Sequence, residues 1–61
     1  MRYSELIKEL RAIGCTIVTE GARHTIWYSP ITDKRFPVGR HKTEEVRPGT
    51  LKSIKRDAGL E

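Results

Sequence analysis

The residue with most chemistry to offer is His24, which opens the apolar-aromatic segment His24-Thr-Ile-Trp-Tyr-Ser29 directly after Gly21-Ala-Arg23. A second histidine, His41, stands between Arg40 and Lys42 in a polar stretch. An unperturbed imidazole, with a pKa of about 6.5, can take or give a proton near neutral pH. Arginine and lysine beside it can hold a phosphate and stabilise developing negative charge. By residue type alone, a lone histidine at the start of a strand is more often a surface or hydrogen-bonding residue than a catalyst. His41 reads as an ordinary loop residue, or as an anion contact. Cys15 is the only cysteine, so no internal disulfide can form, which points to a reducing cytosol. Following Gly14 and leading an apolar run, it fits a small core residue. No cysteine and histidine spacing suits zinc, and no cofactor motif is present.

The charge is one-sided. Residues 1–20 carry Arg2, Lys8 and Arg11 against Glu5, Glu9 and Glu20. Residues 34–56 carry Lys34, Arg35, Arg40, Lys42, Arg47, Lys52, Lys55 and Arg56 against Glu44 and Glu45 alone. Such a field attracts a polyanion, although solvated lysines kept for solubility would read the same way. The opening MRYSELIKELRAIG is broken by charge every few residues, so it resembles neither a signal sequence nor a membrane span.

The elements that must position these groups follow from periodicity. Leu6, Ile7, Leu10 and Ile13 lie on one stripe of a helix over about residues 4–13, with Ser4 as N-cap and Gly14 as the left-handed closing residue. Residues 15–20 and 24–29 are rich in β-branched and aromatic types and read as strands joined at Gly21-Ala22. Pro30 stops the second strand, Ile31-Thr-Asp33 turns, and residues 34–38 form a third. Pro37 cannot donate to a ladder, which puts that strand at an edge. Gly39 to Arg47 is polar and without period and reads as a mobile loop. Leu51, Ile54 and Ala58 mark a second helix, starting at Pro48 or capped by Thr50, with Gly59 at its end. Trp27 and Tyr28 must point to opposite faces of their strand, but the alternation also puts Ile26 and Tyr28 on the side of His24, so the pattern leaves the faces open. Sixty-one residues make one domain, 1–61, too small for a large internal pocket. The expected architecture is α+β: a helix, a three-stranded antiparallel sheet and a helix. With both helices on one face, the other is free for a ligand.

In that order, four stretches carry a resemblance. They are Ser4-Glu-Leu-Ile-Lys-Glu-Leu10, Gly21-Ala-Arg-His-Thr-Ile-Trp27, Pro37-Val-Gly-Arg-His41 and Pro48-Gly-Thr-Leu-Lys-Ser-Ile-Lys-Arg-Asp-Ala-Gly-Leu60. Together they make the chain similar, essentially end to end, to the HicA family of bacterial toxins. The resemblance implies a fold like that of double-stranded-RNA-binding domains. It also implies a metal-independent messenger-RNA interferase, held in check by a HicB-type antitoxin; a cytoplasmic location and no membrane partner are expected. The family's catalytic histidine opens the second strand, and His24 occupies that position. The residue before it is commonly serine, where this chain has Arg23.

On that reading His24 serves as base or acid while the 2′-hydroxyl of single-stranded messenger RNA attacks the neighbouring phosphorus. Arg23, Lys34 and Arg35 are the expected sources of positive charge at the phosphate, with Arg40, His41 and Lys42 as further RNA contacts. Two other readings stay open from the residues: a non-catalytic RNA-binding module, and an interaction domain whose basic face meets an acidic protein. The basic run Lys52, Lys55 and Arg56 is read first as a solvated face.

Overall fold

A computed structural model describes residues 1–60. The order is α1 (Tyr3–Ala12), β1 (Thr16–Glu20), β2 (His24–Ser29), β3 (Lys34–Gly39) and α2 (Pro48–Ala58). The strands form one antiparallel sheet in the order β1-β2-β3, so β3 is an edge, where Pro37 is tolerated. This is the α+β architecture expected.

Burial alternates strictly along β2: Thr25, Trp27 and Ser29 are buried while His24, Ile26 and Tyr28 are not. The ladder matches Trp27 with Phe36 and Thr25 with Val38, so these side chains share the covered face. One core cluster joins Trp27, Phe36 and Val38 to Leu6 and Leu10 of α1 and to Ile54 and Ala58 of α2, with Cys15 and Val46 completing it. Both helices therefore cover the same face. The tension left by the sequence pattern is resolved: Trp27 lies under the helices and Tyr28 shares the open face with His24. Ile26 is only half-buried there.

The helices cover β2 and β3 but not β1, whose five residues are all exposed in spite of their β-branched types. A register shift between Ile17 and Thr19 leaves Val18 bulged out of the ladder.

Helix α1 begins earlier than its Ser4 cap would suggest. Arg2 is the N-cap, and its N–H donates to the Glu5 carboxylate at 3.2 Å. The N–H groups of Tyr3 and Ser4 donate to the carbonyls of Glu44 and Lys42, at 3.1 and 3.0 Å. The stretch from Gly39 to Arg47 is thus no free loop. It satisfies the orphan donors of α1, and buried Val46 anchors it to the core. Helix α2 starts with Pro48 in its first turn, not with a Thr50 cap. Gly14 and Gly59 close the two helices in the left-handed conformation, with φ of 91° and 86°. Buried Ser29 donates its hydroxyl to the carbonyl of Ala58 at 2.6 Å, joining the end of β2 to the end of α2.

Candidate functional site

His24 is exposed at the first position of β2, paired with Gly39 of β3. The turn that delivers it is tight. The Gly21 N–H donates to the His24 carbonyl at 2.9 Å, and a Cβ on Gly21 would stand 2.9 Å from that same oxygen. A side chain at position 21 would push the backbone of His24 aside, so the glycine is required by close approach. From the far side, Arg40 donates through Nη1 to the Gly21 carbonyl at 2.5 Å. Residues Gly39 and Arg40 therefore hold both ends of the turn: one by the strand pairing, the other by a charged hydrogen bond.

The expected RNA contacts divide into three groups. Arg23 is exposed in the turn, next to His24 in sequence. Lys34 and Arg35 pair with Ser29 and Tyr28, at the opposite end of β2. Four residues of strand, roughly 13 Å, separate His24 from the Arg35 pairing position, so these two cations do not share one phosphate with the imidazole. Arg40, His41 and Lys42 are exposed beyond the end of β3, at the same end of the sheet as His24.

Arg40 and Lys42 also line a cleft of about 330 Å³ on the helix side of the sheet, between α1 and β1. Its other walls include Ile7 and Arg11 of α1, Ile17 of β1 and Trp27 of β2. The Arg11 guanidinium lies over the Trp27 ring, 5.4 Å from its centroid, within cation–π range. Reasoning from sequence missed Arg11, Ile17 and Trp27 as a group. They come from three elements, and no periodicity signals that β1 is left uncovered.

On the open face Tyr28 donates its hydroxyl to the Asp33 carboxylate at 2.6 Å. That hydrogen bond to Asp33 raises the Tyr28 pKa above its ordinary value, and the negative charge of Asp33 adds to the effect while Arg35 opposes it. Asp33 itself has φ 56°, in the left-handed region that a short polar side chain tolerates in a turn. Among the described residues there is no group of three or more His, Cys, Asp or Glu side chains that could hold a metal ion, and no helix is long and apolar enough to cross a membrane.

The fold is that of a small basic α+β protein in which two exposed histidines, His24 and His41, and several cations lie at one end of the sheet. The family model described as HicA toxin of bacterial toxin-antitoxin matches residues 3–60. The chain belongs to this HicA family and is a toxin of a toxin–antitoxin system, with an antitoxin as its partner. No curated protein and no solved structure gives a significant match.

Proposed function

We propose that this toxin is a metal-independent endoribonuclease that cleaves single-stranded messenger RNA in the cytoplasm through His24, and that a HicB-type antitoxin neutralises it. The observation that carries the reading is the setting of His24. It is an exposed imidazole on the uncovered face of the sheet, at the one end where Arg23, Arg40, His41 and Lys42 also emerge.

RNA brings its own nucleophile, so the protein need only move protons and hold charge. His24 takes the proton of the 2′-hydroxyl, or gives one to the departing 5′-oxygen. The O2′–P bond forms as the P–O5′ bond breaks. The products are a 2′,3′-cyclic phosphate and a free 5′-hydroxyl. One positioned proton-transfer group contributes about 10²–10⁴-fold. Arg23, next to His24, would meet the phosphate, and Arg40 and Lys42 the strand leading to it; Lys34 and Arg35 would serve RNA further along the open face. Modest catalysis suffices for a toxin, because slow loss of messages still arrests growth.

Expression of the parent chain and of His24→Ala tests this, with growth and total messenger RNA followed in time and folding of both checked by circular dichroism. The parent is expected to stop growth and deplete messages, and the variant to do neither. Intact messages in cells making the folded parent would sink the nuclease reading. RNA binding without cleavage by the parent would make the chain a non-catalytic RNA-binding module instead.

A further inference from the structure

The cleft between α1 and β1 has no role in the proton transfer, yet its chemistry is specific. It is small, about 330 Å³, at the low end of the range for small-molecule sites. One wall is apolar, from Ile7 and Ile17. Three cations line it, Arg11, Arg40 and Lys42, against one carboxylate, Glu20, and none of the three is ion-paired among the described residues. Arg40 spends one N–H on the Gly21 carbonyl, which leaves the other donors of its fork free. The Arg11 guanidinium lies over the Trp27 ring at 5.4 Å, and a guanidinium also stacks on planar groups, so its outer face can serve as a stacking platform. Flat apolar contact beside clustered positive charge fits a ligand that is planar at one end and anionic at the other.

We propose that this cleft seats one unpaired nucleotide of the RNA substrate, with its base on the Arg11 guanidinium and its phosphate on Arg40 and Lys42. The inference rests on the nuclease reading and extends it to substrate selection. Gly39 and Arg40 belong to the cleft wall, and Gly39 is the strand partner of His24. A strand anchored in the cleft therefore passes round the end of the sheet to the imidazole on the opposite face. The cleft has room for a single nucleotide and not for a base pair, which makes it a filter against duplex RNA. An acidic peptide would use the cations but leave the stacking platform and the apolar wall unused.

Trp27 is the only tryptophan in the chain, so tryptophan emission comes from a residue that lines this cleft. The His24→Ala protein, which binds without turnover, is titrated with a short single-stranded oligoribonucleotide and with its duplex form. Binding is read in parallel by anisotropy of a labelled oligonucleotide. The single strand is expected to change Trp27 emission and to bind more tightly than the duplex. Arg11→Gln and Lys42→Gln, both at exposed positions, are each expected to weaken binding about tenfold, the scale of one stacked base. In the catalytically intact chain the same substitutions should raise KM by a similar factor with kcat little changed.

Normal RNA binding by anisotropy with silent Trp27 emission, or unaltered KM in both variants, would overturn the cleft assignment and leave the nuclease reading intact. Tighter binding of the duplex would do the same. A Trp27 response to a polyglutamate peptide but not to RNA would assign the cleft to an acidic protein segment and overturn the proposal. No RNA binding by His24→Ala together with no cleavage by the parent would remove both readings.

Discussion

The guanidinium of Arg40 reaches back across the end of the sheet to the carbonyl of Gly21, three residues before His24. A residue read from sequence as an RNA contact is thereby also a strut for the histidine turn. Arg40→Ala should increase hydrogen exchange at the Gly21 N–H, the donor in the turn. The exposed bond contributes little to global stability, about 1 kcal/mol or less. Exchange equal to the parent's at that amide would show that the tether does nothing.

Gly21→Ala tests the turn from its other side. Its Cβ would meet the His24 carbonyl at 2.9 Å, so the backbone beneath the imidazole must move. Misplacing a catalytic group by about 1 Å can cost about 10²-fold, and a loss of RNA cleavage of that order is expected with the protein still folded. Parent-like cleavage by Gly21→Ala would mean that His24 needs no such precise delivery.

Ser29 is wholly buried, and its hydroxyl caps the Ala58 carbonyl at the end of α2. Ser29→Ala leaves that carbonyl without this partner, at a cost of about 1–2 kcal/mol. For a domain of this size the melting temperature should fall by about 4–8 °C per kcal/mol. The measurement is thermal unfolding by circular dichroism. A shift within error of zero would mean that water replaces the hydroxyl at no cost.

Tyr28 gives a pH prediction. Because its hydroxyl donates to Asp33, the folded state favours the protonated phenol and its pKa is raised. The interaction therefore supports the fold below the ordinary tyrosine pKa and is lost as pH rises through the raised value. Asp33→Asn removes the charge while keeping an acceptor and a residue suited to φ 56°. NMR titration of the Tyr28 ring should show its midpoint lower in Asp33→Asn than in the parent; no difference would refute the coupling.

Much of the frame was legible in the chain. The apolar stripe Leu6, Leu10, the β-branched and aromatic runs, Pro37 at an edge and glycine at both helix ends all express local preferences that tertiary packing did not override. The family could be read from the same residues, because the match runs nearly end to end. Local pattern failed where partners lie far apart in sequence. Ser4 looked like a cap, but the donors of α1 are met by carbonyls about 40 residues later, at Lys42 and Glu44. The same contacts convert an aperiodic polar loop into a fixed one.

By itself the sequence determined that His24 begins a strand in a basic α+β protein. It also made Trp27 and Tyr28 face opposite ways, since the pleat has a period of two. Only the tertiary structure decided which way each faces. Here the two helices lie over β2 and β3 and leave β1 exposed. That choice buries Trp27, leaves His24 on the open side and opens the cleft beside β1. These are consequences of how the elements stack, and no stretch of adjacent residues encodes them.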